Sequence, residues 1–555
     1  MLWRTAGATS KAPVCRLLGK WKFARYYAVD TRKLEYAGRN EQIEKDLDYY
    51  YPSMSVLRGN HQGKAQSITV EQFNAQFQDR EEFDRYGSVL YTMNGRIKNI
   101  RFSGKKICFI DLQANNDNRL RPSAVQLIVN FNALDPKLTV EDYVAGTTFL
   151  RKNDYIQVQG FAGVSSSSTH QLSLRCTKIP SILSPVKLPL PSKLVSTSKI
   201  HKNRVIDYQL NGTQILILRS QVIKSIREFL YSQGFLEVET PILSSKSSGA
   251  NATPFVTKTK DNVPLELRVA PELWLKRLTI SGLNKIFEIA KVFRNEGIDA
   301  VHNSEFTMLE FYQTYASMDD LITMSENLFK SVLLDLQKLI KEQGNEINDQ
   351  ISSNIDTLVF NLQESNWKFK RIEFLPTLSN ELHTDLNKID LDEPSEILKA
   401  IPEDVKHHLF SQNEALSPHR VLDKLCSHYI EQKYCNTPHP TLIYHHPLPL
   451  SPLAKRNPLN PRTVKRFELF INSKEYVNAY EEENCPHLQM ENFVNQQNHK
   501  DSSTIDFQYV ESMKYGMPPT GGLGLGIDRL CMLLLGKPRI EDVLPFGTID
   551  DVNTQ

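Results

Sequence analysis

The chain has 555 residues, 40% of them apolar and 23% charged, an ordinary globular balance with room for more than one core. Its 66 basic and 64 acidic residues give no global charge that would drive it onto nucleic acid, so any such contact has to come from local patches. No apolar run approaches the ~18 residues that span a bilayer, so no membrane partner is expected; seven scattered cysteines without a CxxC pair predict reduced thiols instead of a disulfide frame.

The first 29 residues hold Arg4, Lys11, Arg16, Lys20, Lys22 and Arg25 and no acid. That pattern predicts a mitochondrial presequence, although a basic arm lying on nucleic acid would share it. Without those six basics the balance is 60 basic to 64 acidic residues. Residues 30–85 are polar, with Tyr49-Tyr50-Tyr51 and the charged run Gln78–Arg85, and predict a helical appendage. From 86 to 182 the pattern turns to short alternating runs: Ser88–Met93, Arg96–Ile100, Ile107–Leu112, Val125–Asn130, Tyr155–Phe161 and Gln171–Cys176 read as strands. Turns are signalled at Asn94-Gly95, Ser103-Gly104 and Asn115-Asn116, and a small barrel of the OB type is expected. Residues 183–206, in an acid-free stretch with Lys187, Lys193, Lys199, Lys202 and Arg204, read as a basic linker. It suits a phosphate backbone, and a solvated linker would look the same.

Residues 207–555 mix long helices with strands. Ile215–Gln233 is amphipathic, with Leu218, Val222, Ile226 and Phe229 on one face and Gly234 as its stop. Residues about 318–440 are polar and helix-rich and read as an insertion. Seven of the fourteen histidines lie between His407 and His446 without metal spacing, and read as solvated loop histidines.

Three segments carry chemistry. Gly234–Pro241 follows the amphipathic helix; Phe293-Arg294-Asn295-Glu296-Gly297 leads through a loop with His302 into Glu305–Tyr312; Gly522–Arg529 is glycine-rich and opens an apolar helix. Arg294-Asn295-Glu296 and Glu305–Tyr312 read as two strands, and period two puts Phe306, Met308, Glu310 and Tyr312 on one face. Such a face offers an aromatic plate, a carboxylate and a phenol beside the Arg294 cation. Most aromatic strand faces are simply core. Arg529 at a helix start opposes the dipole unless an anion sits there.

In this order, after a barrel, the segments resemble motifs 1, 2 and 3 of the class II aminoacyl-tRNA synthetases, in the subgroup for lysine, aspartate and asparagine. The resemblance covers about residues 86–550. It implies an α+β architecture: an OB-fold β-barrel over 86–182, followed by a class II catalytic domain over 207–555, an antiparallel sheet flanked by helices. ATP would meet Arg294, Glu296, His302, Phe306, Glu468 and Arg529, with Arg294 and Arg529 as the catalytic cations. Magnesium would enter with ATP at Glu468 and Glu475, oxygen ligands that suit it. The segment Arg466–Glu482 reads as a hairpin turning at Asn472–Lys474. Asn478, Tyr480 and Glu482 share a face, whereas Glu475 has the opposite parity, so a common site for Glu475 and Glu482 demands a bulge.

Leu267–Lys276 resembles the lysyl-tRNA synthetases, which carry an acid at the position of Glu272. By the same resemblance Gly249, Ala250, Glu310, Tyr312, Asn478, Tyr480 and Glu482 would surround L-lysine. A buried ammonium needs paired carboxylates, which disfavours an aspartate pocket. The implied reaction is ATP-dependent formation of lysyl-adenylate and transfer to the 3′ end of tRNA(Lys), in the mitochondrial matrix. Phe109 and Gln126 match anticodon contacts in the barrel; Gln171 stands where the family has glutamate, which predicts altered anticodon discrimination. Motif 1 implies a homodimer. The aspartyl and asparaginyl relatives, and an RNA-binding protein that has lost catalysis, remain as alternatives.

Overall fold

The computed structural model describes residues 31–59, 65–77, 89–115, 119–165, 171–246, 249, 252–343, 349–410, 416–498 and 506–552. The expected presequence, the run Gln78–Arg85 and Ala250 lie outside them. The chain divides into two compact units, residues 1–117 with 122–192, and residues 118–121 with 193–555.

The first unit is a closed five-stranded barrel. Helix α1 (Thr31–Lys45) precedes strands β1 (Leu90–Ser103), β2 (Ile107–Gln113) and β3 (Ala124–Asn130), helix α2 (Val140–Phe149), and strands β4 (Tyr155–Val164) and β5 (Leu172–Cys176). Closure runs β1–β2–β3–β5–β4 and back to β1. Alternate residues fill the interior, among them Cys108, Ile110 and Leu112 of β2. The turn expected at Asn94-Gly95 is absent. β1 passes straight through, pairing with β4 up to Arg96 and with β2 beyond it. Gly95 serves close backbone approach instead: a Cβ there would lie 2.7 Å from the Gln113 carbonyl oxygen. Ser103-Gly104 does turn, with Gly104 at φ +63°.

α1 is pinned to this barrel by Arg39, which is buried. It ion-pairs with Asp154 at 2.6 Å and donates to the Phe149 and Val186 carbonyls at 2.9 and 2.7 Å. Asp154 also accepts from the Val186 N–H at 2.7 Å, so both buried charges are satisfied.

The second unit is built on an eight-stranded sheet. Helix α3 (Gln214–Ser232), strand β6 (Leu236–Glu237), helix α4 (Glu272–Ile280) and the hairpin β7 (Lys285–Phe293)–β8 (Glu305–Thr314) come first. Helices α5 (Met318–Gln343) and α6 (Asp349–Glu364), strands β9 (Lys370–Glu373), β10 (Thr441–Tyr444), β11 (Arg466–Ile471), β12 (Lys474–Glu481) and β13 (Thr520–Gly526), and helix α7 (Ile527–Leu534) follow. The order across the sheet is β9-β10-β11-β12-β13-β8-β7-β6, antiparallel except for β9–β10 and β7–β6. α3 buries Leu218, Val222, Ile226 and Leu230 against this sheet, and Gly234 stops it with φ +78°.

The segment 318–440 is not one appended piece. α5 and α6 share the sheet's main hydrophobic core, because their apolar faces (Leu321, Ile322, Leu333, Ile355) need a partner. Residues from Ile372 to Cys435 form a separate small core. The linker expected to 206 also ends earlier. Thr197–Lys202 and Arg204–Asn211 are helical, because the buried His201 and Arg204 find partners at Asp542 and the Glu541 carbonyl.

Candidate active site

A cavity of about 520 Å³ opens on one face of the sheet. Residues of β8, β12 and β13 supply its floor. Phe306, Met308, Glu310 and Tyr312, the four residues that period two places together on β8, all line it. Glu475, Asn478 and Tyr480 of β12 line it too. The bulge that parity demanded is present: Leu469 pairs with Val477 and Phe470 with Glu475, so Tyr476 is the extra residue. The hairpin turns on Asn472 and Ser473, both left-handed at φ 50° and 56°.

Two expectations about motif residues change. The first strand ends at Phe293, so Arg294 and Glu296 sit in the loop beyond it, yet both face the cavity. Arg294 lies over the Phe306 ring, 5.1 Å from its centre. The aromatic plate is therefore shared with the cation. Burial lowers the Arg294 pKa, with Glu475, Glu296 and Glu310 working against that shift.

The cavity has two chemically distinct ends. At one, Arg529 stands in the first turn of α7, which opens on Gly526. It donates to the Glu475 carbonyl at 3.1 Å and to His302 Nε2 at 2.5 Å. Arginine only donates, so Nε2 is the bare nitrogen and Nδ1–H points at Asp299, 2.9 Å away. Asp528, the residue before, is buried; it accepts the Thr307 N–H at 2.8 Å and pairs with Arg219 of α3 at 2.5 Å. The helix ahead of the first motif and segments of the second and third thus meet on one carboxylate.

Glu468 and Glu475 both line this end. Burial opposes the Glu468 charge, but Arg466 and His446 overcome it and pull the carboxyl down to about 2. Glu468 accepts from Arg466, from Asn478 at 3.3 Å and pairs with His446 at 3.2 Å. Arg466 has no role in the sequence pattern, and His446, expected among the solvated loop histidines, is buried. Glu475 goes the other way: burial and the Glu468 charge push it up to about 7, against Arg529, Arg466 and Arg294.

At the other end Glu272, Glu310, Tyr312, Tyr480 and Gly249 converge. Tyr480 donates to Glu272 at 2.5 Å and Tyr312 to Glu310 at 3.1 Å. Gly249 has φ +105° and no Cβ, which would sit 3.2 Å from that of Glu272. Glu482 and Glu272 come together around Lys276, a residue the sequence pattern does not single out. Lys276 of α4, fully buried, lies 2.5 Å from Glu272 and 2.5 Å from Glu482. Glu482 itself is one layer behind the cavity wall, under Gly522. Its Oε1 has no hydrogen-bond partner, and a Cβ on Gly522 would be 2.3 Å from that atom. Burial pushes Glu482 up to about 8 despite Lys276, and raises Glu310 well above the carboxylate range.

In the barrel, Phe109 points outward between the inward Cys108 and Ile110. The Ser173 hydroxyl lies 3.1 Å from the Gln126 amide oxygen and 3.0 Å from the Gln171 backbone carbonyl, and its single proton serves one of them at a time. Ser173 thus joins the two glutamines, which the sequence could not pair.

The model of tRNA synthetases class II (D, K and N) matches residues 197–550. The chain is 50% identical to a mitochondrial lysine--tRNA ligase of Saccharomyces cerevisiae, over 98% of this chain and 96% of the relative. It is 34% identical to the Schizosaccharomyces pombe mitochondrial lysine--tRNA ligase over 90% of each chain. It is 37% identical to a Streptococcus thermophilus lysine--tRNA ligase over 71% of this chain and 77% of the relative.

Proposed function

The chain belongs to the class II tRNA synthetases of the D, K and N group, and from that membership we infer that it uses ATP to activate L-lysine and ligates it to tRNA(Lys) in mitochondria. The observation that carries the lysine reading is the carboxylate-rich end of the cavity, where Glu272 and Glu310 face the open space beside a nucleotide-sized region. An aspartate pocket would need cations there. Asparagine would not need the acids.

The side chains divide the work as follows. Glu272, with Tyr480 and Asn478 nearby, receives the α-ammonium beside Gly249. Glu310 and Tyr312 receive the ε-ammonium, and Glu482 adds its negative charge from behind Gly522. Phe306 stacks on adenine, Glu296 and His302 border the nucleotide, Arg294 moves from the ring to the α-phosphate, and Arg529 meets the far phosphates. The lysine carboxylate attacks the α-phosphorus in line and pyrophosphate leaves. No protein nucleophile is required, so positioning and charge stabilisation carry the step. Glu468 and Glu475 offer the oxygen donors that magnesium prefers, and a cation would relieve the repulsion that raises Glu475. Bound there, magnesium would spread the phosphate charge.

Transfer to the 3′-hydroxyl of tRNA follows, with Phe109, Gln126 and Gln171 on the anticodon. The basic, acid-free first 29 residues support import to the matrix. Exposed Leu236, Ile242, Leu243 and Val256 around the motif 1 strand support a homodimer. The test is ATP–pyrophosphate exchange with each of the twenty amino acids. Lysine alone should sustain exchange; a signal with aspartate or asparagine instead would reject the reading.

A further inference from the structure

Three buried carboxylates crowd the amino-acid end of the cavity: Glu272, Glu310 and Glu482. Other acids nearby are already matched. Glu288 pairs with Arg268 at 2.6 Å, and Glu468 with Arg466. Among the described residues, the cation held within this group is Lys276, which has 0% exposure and reaches both Glu272 and Glu482. The rings of Tyr480 and Tyr509 flank its ammonium at 5.4 and 6.0 Å. Lys276 does not line the cavity, so it acts on a ligand only through the acids it holds.

We propose that Lys276 is a specificity-determining positioning residue that sets the charge of the amino-acid pocket to two net negatives, matched to a substrate carrying two ammonium groups. The inference rests on the lysine reading of the site. With lysine bound and the three carboxylates ionised, one resident ammonium leaves two negatives, one for each ammonium of lysine, while the substrate carboxylate goes to Arg294. An amino acid with the α-ammonium alone, such as norleucine, leaves a buried carboxylate uncompensated. The same ammonium fixes Glu272 and Glu482 relative to each other across two elements, α4 and the end of β12, so the carboxylates wait in place.

The test is a double-mutant cycle on lysine-dependent pyrophosphate exchange: wild type, Lys276→Met, Glu482→Gln and the double variant, with the KM for lysine and for ATP read separately. Glu482→Gln leaves one net negative, and the lysine KM should rise at least about tenfold with the ATP KM unchanged. The double variant restores two net negatives, so its lysine KM should fall back towards wild type, at least about threefold below that of Glu482→Gln alone. A packing role for Lys276 predicts the reverse, a second lesion added to the first. A double variant no better than Glu482→Gln therefore overturns the proposal, and that comparison stands even if Lys276→Met alone does not fold. Absence of lysine-dependent exchange in the wild type would instead reject the lysine reading itself.

Discussion

Gly522 is where a single methyl group should separate the two substrates. It pairs across the sheet with Tyr312 on one side and Tyr480 on the other, and its φ is not in the left-handed region, so alanine costs no backbone strain. A Cβ there would lie 2.3 Å from Glu482 Oε1 and 2.5 Å from a ring carbon of Tyr312. Non-bonded contacts settle near ~3.5 Å, so both side chains have to retreat by about 1 Å. Overpacking of this kind costs about 1–3 kcal/mol of stability. Displacing the ammonium ligands by that distance should raise the lysine KM or lower kcat by a combined factor of about a hundred. The phosphate end lies on Arg529 and Glu475, remote from this contact, so the ATP KM should stay put. Steady-state exchange kinetics at varied lysine and varied ATP, with a denaturant melt for stability, would check both halves. A Gly522→Ala enzyme that melts normally and binds lysine as the wild type does would show that Glu482 and Tyr312 do not define the pocket.

Lysine binding should expel protons: burial holds Glu310 well above its ordinary value and Glu482 at about 8, and an ammonium ligand favours the ionised forms. Apparent lysine affinity should therefore rise from about pH 6 to about pH 8; equal calorimetric heats in phosphate and Tris would show that no proton leaves. Phe306→Ala should weaken ATP by about 1–3 kcal/mol, the worth of one stacked base, with lysine affinity retained; nucleotide titration in the absence of lysine measures it. Asp528→Ala strands Arg219 and the Thr307 N–H together, and should cost about 3–5 kcal/mol in a denaturant melt. A variant as stable as the wild type would mean the Arg219–Asp528 pair is not holding the motifs together.

Much of the site could be read from the residues because local periodicity carries it. Period two on β8 assembled four cavity residues, and the mismatched parity of Glu475 and Glu482 located a bulge before any coordinates. The helix over α3 and its glycine stop followed the same way. What periodicity does not report is which side chain completes a charge balance across distant elements. Lys276 sits one turn from Glu272 on an apolar helix, and nothing local distinguishes it from a solvated lysine. Gly95 misled for a related reason. Asn-Gly is a turn signal, but here the glycine is needed because the barrel brings β2 against β1. Alternation persists past Phe293 and reads Arg294 onto the strand, but the paired ladder ends at Phe293 and only the Arg294 N–H reaches across, to the Ser304 carbonyl.

The clasp that Arg39 makes on the barrel bears on how the polypeptide is processed. Its guanidinium satisfies Asp154 and two backbone carbonyls from within α1, so that helix belongs to the folded body and cannot be treated as expendable leader. An import peptidase that trimmed the amino end beyond Thr31 would begin to unravel α1 and leave a carboxylate entombed without its cation. Any such cleavage should accordingly fall upstream of that residue, and amino-terminal sequencing of protein purified from cells would test it.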